Sequence, residues 1–286
     1  MLIYKDYDQD ALDRQYNNRL NVPHFATYLD RWELLSRETE KILPCIKDLR
    51  YGEHPRERLD VYLSPFPNAI TLVFIHGGYW QMFDKTSFQF IARAFQPYGL
   101  TTVLINYPLA PANTLDEQVF SCRKAIVWLH QNLSRFNGNS NEIFVAGHSA
   151  GGHLAAMLME TSWAHFDLNL SVDLVKGTVA ISGIFNLIPI RLSYLNTVLN
   201  IDREAAIRNS PVHIETVKSS SLILAVGNEE SAEFNDQSNE MYSYRIARDS
   251  PVKLLHMPHQ NHFSILETML DQKSPLSVAI REMMNI

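Results

Sequence analysis

The chain has 286 residues, of which 46% are hydrophobic, and its 25 basic and 31 acidic side chains give a formal net charge of -6. This length and apolar content are enough to fill a substantial core and exclude a disordered chain. Because no basic run is present, the charge predicts neither nucleic acid nor a membrane as partner, which favours a small molecule or a protein.

Residues 1–43 contain helix-like stretches such as FATYLDRWELLSRETEKIL and lack the pattern of a signal peptide. No apolar run approaches the roughly 20 residues that a membrane-spanning helix needs. Cys45 and Cys122 have no metal-type spacing and are too few for a disulfide framework, so we expect two small core residues. We therefore expect a soluble, cytoplasmic protein in which residues 1–43 form an N-terminal helical cap segment.

Six short apolar runs, rich in β-branched residues, predict parallel strands buried on both faces. These runs are TLVFIH (71–76), TTVLINY (101–107), EIFVAGHS (142–149), KGTVAISG (176–183), SLILAVG (221–227) and VKLLHMP (252–258). Before them, PCIKDLRYG and RLDVYLSP alternate in polarity and indicate an edge hairpin. Helical patterns are found at 86–97, 115–136, 150–161, 235–248 and 275–286. The sequence predicts a single α/β domain over 1–286, with a mostly parallel twisted sheet of about eight strands flanked by helices on both faces and a small cap insertion at 184–215.

The segment FVAGHSAGGHLAAMLM joins a predicted strand to a predicted helix through the pattern G-x-S-x-G. In a nucleophile elbow, small residues on both sides of the serine permit the tight reversal that exposes its hydroxyl. The pattern therefore predicts that Ser149 is a catalytic nucleophile.

A serine nucleophile needs a histidine base and a carboxylate that orients it, in the chain order Ser, acid, His. Four acidic residues follow the run SLILAVG: Glu229, Glu230, Glu233 and Asp236. We favour Glu230, the third residue after Gly227, because a residue at this offset lies just past the strand end and can turn back toward the histidine. After the last strand, His262 is favoured over His259 because an apolar helical stretch follows it directly.

An oxyanion hole requires backbone N–H groups aimed at the oxygen that becomes negative. The residue after the nucleophile, Ala150, supplies one expected donor at a helix start. After the strand TLVFIH, the stretch HGGYW frees the backbone to approach a substrate, so we expect further donors near Gly78 and Tyr79. The side chains of Tyr79 and Trp80 either bind substrate or only pack at the strand end.

The other histidines of these motifs, His76, His148 and His153, are expected to brace the turns. His259 and His262 are three residues apart and could hold a metal ion with a further ligand, but no paired Cys, His or acidic ligands accompany them. No phosphate-binding or dinucleotide-binding glycine motif is present. We therefore expect no metal and no cofactor.

The motifs together resemble the hormone-sensitive-lipase-like branch of the α/β-hydrolase superfamily, and within it the kynurenine formamidase (arylformamidase) family. The segments that carry the resemblance are HGGYW, NYPLAP (106–111), GHSAGGH, NEESAEF, HQNHF, YNNRLNVPHF (16–25), SGIFNL (182–187) and NSP (209–211). Tyr79 and Trp80 replace the third glycine usual in the branch, and the formamidase pattern is H-G-G-x-W. The lipase-like branch also usually carries D-Y-R-L-A-P after the next strand, and here Asn106 and Pro108 alter that motif.

The resemblance implies the α/β-hydrolase fold and hydrolysis of N-formyl-L-kynurenine to L-kynurenine and formate, a step in tryptophan breakdown. It places the nucleophile on Ser149, the base on His262 and the acid on Glu230, where the family commonly has aspartate. It also leads us to ask whether Tyr16, Asn18 and Arg19 reach the amino-acid end of the substrate. The rival interpretations are a general carboxylesterase for short-chain or aryl esters, and an inactive hydrolase fold that serves as a receptor.

Overall fold

A computed structural model describes residues 1–215 and 220–286, and its centre is a single sheet. Within these residues the strands are β1 (Cys45–Arg50), β2 (Arg58–Tyr62), β3 (Ala69–Ile75), β4 (Thr101–Ile105), β5 (Gly138–His148), β6 (Val175–Ile181), β7 (Ser221–Gly227) and β8 (Val252–Met257). They lie in the order β1-β2-β4-β3-β5-β6-β7-β8. Among the paired strands of the described sheet, β1–β2 and β2–β4 are antiparallel and the other pairs are parallel. The predicted eight-stranded, mostly parallel α/β sheet is therefore confirmed, including the hairpin at its edge.

The helices of the described residues lie before, between and after these strands. They are α1 (Gln9–Tyr16), α2 (Asn18–Asn21), α3 (Phe25–Ile42), α4 (Phe90–Phe95), α5 (Leu115–Asn132), α6 (Ala150–Met159), α7 (Ile188–Leu192), α8 (Asn196–Leu199), α9 (Arg203–Arg208), α10 (Ala232–Ile246), α11 (Ser264–Glu267) and α12 (Pro275–Met284). Single 3-10 turns occur at Lys85–Phe88, Gln96–Tyr98, Leu133–Phe136, Trp163–His165, Pro211–His213 and Thr268–Leu270.

Helices cover both faces of the sheet, which explains why its central strands bury apolar side chains on both faces. Along β3, Val73 and Ile75 pack with α5 and α6 on one face, whereas Leu72 and Phe74 pack with α3, α4 and α12 on the other. Alternate side chains of a strand point to opposite faces, so one run of apolar residues contributes to two cores.

Several predicted helices have different limits in the structure. The helix predicted at 86–97 is interrupted, because only Phe90–Phe95 is α-helical and 3-10 turns flank it. The helix predicted at 235–248 starts earlier, at Ala232, because the Ser231 side chain accepts a hydrogen bond from the amide of Phe234 and caps it.

Residues 1–43, which precede the sheet, bind to α10 through the buried carboxylate of Glu233. Glu233 is 1% exposed and accepts hydrogen bonds from Lys5 Nζ at 2.8 Å and from the Tyr16 hydroxyl at 3.2 Å. A buried charge that loses its partners costs several kcal/mol, so these bonds favour one placement of residues 1–43. That placement brings α2 and α3 over the carboxyl ends of the strands, where the insertion 184–215 also lies.

Candidate active site

Ser149 lies at the turn between β5 and α6 in a conformation that few residues adopt. Its φ is 57° and its ψ is -121°. The glycines two residues away on each side allow the turn to close, because a Cβ on Gly147 would lie 2.0 Å from the Gly151 oxygen. A Cβ on Gly151 would likewise lie 2.0 Å from the oxygen of Ile75. The G-x-S-x-G spacing thus has a steric cause, and it produces the strained turn of a nucleophile elbow.

Three side chains from different loops form one hydrogen-bonded chain. His262 Nε2 lies 3.0 Å from Ser149 Oγ, and His262 Nδ1 lies 2.6 Å from Glu230 Oε2. The Glu230 side chain is fully buried and that of His262 is 6% exposed. Because the carboxylate accepts a hydrogen bond from the Nδ1–H group, Nε2 keeps its lone pair toward the serine hydroxyl. This arrangement is suited to removing the proton of Ser149 as the oxygen attacks an electrophile.

The Glu230 carboxylate is itself held in place from the ends of two strands. Its Oε1 accepts a hydrogen bond from Ser182 Oγ at 2.6 Å and another from the Gly227 amide at 2.8 Å. Ser182 follows β6, is fully buried and has a φ of 49°. A single serine after a strand carries no distinctive signal in the sequence, so this contact emerges only from the structure. The backbone conformation of Ser182 aims the hydroxyl at the acid.

The competing acids and the second histidine lie elsewhere. His259 is 92% exposed in its side chain and its nearest acid is Glu229, whose oxygen is 3.9 Å away. Glu233 binds Lys5 and Tyr16, and Asp236 also binds Lys5. None of the three acids contacts His262 within the described residues. The structure thus brings His262 to Glu230 and to no other candidate acid.

The loop after β3 passes directly over the nucleophile. Gly78 has a φ of +105°, which side chains disfavour, and a Cβ on Gly77 would lie 3.0 Å from Ser149 Cβ. Within residues 1–215 and 220–286, the amides of Gly78, Tyr79 and Ala150 donate to no protein acceptor. Free amides beside a serine hydroxyl are what an oxyanion requires.

Trp80 is not among the residues that line the cavity, which favours the packing alternative for its side chain over substrate binding. Its ring is fully buried and its Nε1 donates to His153 Nδ1 at 3.1 Å. His153 Nε2 in turn donates to the main-chain oxygen of Asn209 at 2.7 Å. Burial lowers the pKa of His153 to about 4, which suits the neutral ring that this chain of bonds needs. Trp80 therefore joins the loop to α6 and to the segment after α9.

Tyr79, by contrast, lines the cavity, and its hydroxyl binds the N-terminal segment. The hydroxyl donates to the Tyr16 main-chain oxygen at 2.5 Å and accepts from Asn18 Nδ2 at 3.0 Å. The aromatic residue that replaces the third glycine thus connects the loop after β3 to α1 and α2. It also limits the space above Ser149.

The cavity over Ser149 has a volume of about 280 Å³, near the lower end of the range for small-molecule sites. It is lined by Asn17, Asn18, Arg19, Leu29, Trp32, Gly77, Gly78, Tyr79, Gln81, Met82, Phe83, Phe88, His148, Ser149, Tyr194, Leu195, His262 and Phe263. Of these described residues, Arg19 alone carries a fixed charge, and its Nη2 lies 3.2 Å from Met82 Sδ. Tyr16 does not line the cavity, since its side chain is buried against Glu233 and Gln237.

The other motif histidines are neutral and fastened to main-chain oxygens. His76 Nδ1 donates to the Gly77 oxygen at 2.8 Å, and burial lowers the pKa of His76 to about 4. His148 Nε2 donates to the main-chain oxygen of His262 at 2.8 Å. Burial is the main cause that holds the pKa of His148 well below its ordinary value, and the nearby His262 ring lowers it further. Both rings thus stabilise loops that border Ser149.

Among residues 1–215 and 220–286, no three His, Cys, Asp or Glu side chains cluster closely enough to hold a metal ion. Over the same residues, no helix has the length and apolar character needed to cross a membrane.

Comparisons with known proteins show what this chain is similar to. The family model BD-FAE matches residues 59–244. The chain is 31% identical to the kynurenine formamidase of Danio rerio over 293 residues, which cover 98% of each protein. It is 30% identical to the kynurenine formamidase of Salmo salar, again over 98% of each. The crystal structure of a thioesterase candidate from Silicibacter sp. TM1040 has a TM-score of 0.83 at 27% identity, covering 94% of this chain and 98% of that one.

Proposed function

This chain belongs to the kynurenine formamidase family and has the α/β-hydrolase fold, and we propose that it is an arylformamidase that hydrolyses N-formyl-L-kynurenine to L-kynurenine and formate. The observation that carries the proposal is the hydrogen-bonded chain of Ser149, His262 and Glu230, which opens onto a cavity the size of one small ligand. The proposal requires neither a cofactor nor a metal.

The reaction begins when Ser149 Oγ attacks the formyl carbon while His262 Nε2 takes the hydroxyl proton. The carbonyl oxygen becomes negative and accepts hydrogen bonds from the amides of Gly78, Tyr79 and Ala150. Glu230 stabilises the imidazolium and keeps its Nδ1 proton in place. When the C–N bond breaks, its electron pair stays on nitrogen, which takes the proton from His262, and the neutral arylamine departs.

The second half of the reaction repeats the first with water in place of the serine. His262 removes a proton from water, the hydroxide attacks the formyl-serine ester, and the same amides hold the oxyanion. Ser149 leaves with the proton that His262 returns, and formate is released. Each half transfers one proton to and from His262, so the enzyme returns to its starting state.

The lining of the cavity supports an aromatic substrate that carries a carboxylate. Trp32, Phe83, Phe88 and Phe263 offer flat apolar surface for an aryl ring. Arg19 contributes the fixed positive charge, which pairs with a carboxylate through charge-assisted hydrogen bonds. In this proposal Asn18 and Arg19 bind the amino-acid end of kynurenine, and residues 1–43 and 184–215 form the cap over the ring.

The decisive experiment compares kcat/KM for N-formyl-L-kynurenine with that for p-nitrophenyl acetate. We expect the formamide to be preferred, and Ser149→Ala to abolish turnover of both. A preference for the acetate would instead support the rival proposal, a general carboxylesterase, because the same machinery cleaves both bonds.

A fluorophosphonate probe separates either enzyme from an inactive receptor of the same fold. The wild-type protein should be labelled at Ser149, and Ser149→Ala should not. If the wild-type protein is not labelled, the hydrolase proposal is wrong.

A further inference from the structure

His148, the residue before Ser149, is a second histidine on the wall of the cavity, and one of its ring nitrogens has no partner among the described residues. Its Nε2 lies 2.8 Å from the main-chain oxygen of His262. Because a carbonyl oxygen only accepts, Nε2 carries the proton and Nδ1 is an unprotonated acceptor. In the described part of the chain, no protein donor meets this Nδ1.

The acceptor nitrogen lies beside the nucleophile. A Cβ placed on Gly77 would be 3.5 Å from His148 Nδ1 and 3.0 Å from Ser149 Cβ, so both groups border the same glycine. His148 is 4% exposed and its ring lies 4.8 Å from that of His262, measured between centroids. A ligand that binds at Ser149 therefore covers an acceptor nitrogen that has no donor among the described residues.

Amides and esters of the same shape differ at the atom that the hydrolysis separates from the carbonyl carbon. An amide bears an N–H next to the scissile carbonyl, whereas an ester has an oxygen there with no proton. A buried acceptor left without a donor is costly, so a site that contains one favours the ligand that supplies a hydrogen.

We propose that His148 Nδ1 accepts a hydrogen bond from the N–H of the scissile formamide and thereby selects formamides over esters. The bond also has a geometric consequence after Ser149 attacks, when nitrogen becomes pyramidal. With its hydrogen directed at His148, the nitrogen lone pair is turned away from that ring and is free to take the proton of His262 Nε2. This inference rests on the proposed hydrolase function and adds the residue that distinguishes an amide from an ester.

The test compares formanilide with phenyl formate in the wild-type enzyme and in His148→Phe. The variant loses the bond to the His262 oxygen with either substrate, so this effect cancels in the ratio of the two rates. We expect kcat/KM for formanilide to fall at least tenfold more than kcat/KM for phenyl formate, after subtraction of the uncatalysed hydrolysis. His259→Phe is the matched control, because the His259 side chain is 92% exposed and its replacement should leave the ratio unchanged.

Equal losses for the two substrates in His148→Phe overturn the inference while leaving the hydrolase function intact. A wild-type enzyme that cleaves phenyl formate but neither formanilide nor N-formyl-L-kynurenine overturns the formamidase proposal itself. If His148→Phe does not fold by circular dichroism, the wild-type enzyme decides with N-methylformanilide, which lacks the N–H. It should be hydrolysed at least tenfold less efficiently than formanilide, and equal efficiency refutes the role of His148.

Discussion

Replacing Glu230 by glutamine keeps the shape of the side chain and removes its charge, so it tests the orienting role directly. In the native protein His262 Nδ1 lies 2.6 Å from a carboxylate oxygen of Glu230. In one orientation of the glutamine amide, its NH2 group would face this Nδ1 instead. The imidazole then has to accept at Nδ1 and carry its proton on Nε2. A protonated Nε2 cannot act as a base toward Ser149.

The opposite orientation meets a different obstacle. The glutamine oxygen would then accept from His262, but its NH2 group would face the Gly227 amide, which donates to Glu230 Oε1 at 2.8 Å in the native protein. Two donors would be directed at each other in a buried place. Because both orientations are penalised, we expect kcat to fall by about 10⁴, the loss known for an acid-to-amide change in a serine triad, or about 5 kcal/mol of transition-state stabilisation.

The assay is the steady-state hydrolysis of N-formyl-L-kynurenine, followed by formation of L-kynurenine. Glu229→Gln is the matched control, since Glu229 is 56% exposed and lies 3.9 Å from the exposed His259. We expect the control to keep wild-type activity. A Glu230→Gln protein that retains more than a tenth of the wild-type kcat would falsify the reasoning, as would an equal loss in the control.

Four further predictions follow from the same site. Arg19→Leu should raise KM for N-formyl-L-kynurenine three- to tenfold and leave formanilide unaffected, since only the former has a carboxylate; parallel increases for both substrates would refute this. Gly78→Ala should lower kcat about 100-fold, because φ is +105° and the new Cβ would lie 2.4 Å from a main-chain oxygen; near-normal kcat would exclude this amide from the oxyanion hole. Trp80→Phe should reduce the free energy of unfolding by about 1–3 kcal/mol, measured in urea, with KM unchanged, since the bond to His153 is lost outside the cavity; a changed KM with unchanged stability would contradict the structure. His76 and His153 have pKa values of about 4, below the ordinary value of 6.5, so the unfolded chain binds more protons below pH 6.5 and stability falls as pH falls. Each should cost about 1 kcal/mol between pH 7 and pH 5.5, and urea midpoints that do not decrease over this interval would show that the two rings are not buried neutral.

The sequence singles out Ser149 and His262 as candidates because each belongs to a local pattern with a structural cause. The serine needs small residues at fixed offsets, and the histidine needs a helical stretch that anchors it. Glu230 was harder to select, since four acids follow the same strand and the offset from Gly227 favours one without excluding the others. The structure separates them by what each carboxylate contacts.

Trp80 and Ser182 show what local patterns cannot provide. Tyr79 and Trp80 both have a positive φ, 47° and 60°, yet only Tyr79 lines the cavity, and the sequence reveals neither the backbone angles nor this difference. The partner of Trp80, His153, lies 73 residues away. Ser182 likewise binds Glu230, which lies 48 residues away in the sequence. Contacts of this range are set by the register of the sheet.

The register also positions the two donors that hold the Glu230 carboxylate. In the parallel pairs, His148 lies opposite Ile181, and Ile181 lies opposite Ala225, so Ser149, Ser182 and Gly227 all emerge at the same edge of the sheet. The Gly227 amide and Ser182 hydroxyl both bind Glu230 Oε1, which draws the side chain back over the strand end and leaves Oε2 for the histidine. The carboxylate is therefore held by two donors that the sheet positions. In Glu230→Asp the shorter carboxylate should depend more strongly on its two donors, Ser182 and the Gly227 amide. The loss of kcat in the double variant Ser182→Ala/Glu230→Asp should therefore exceed the sum of the two separate losses in free energy.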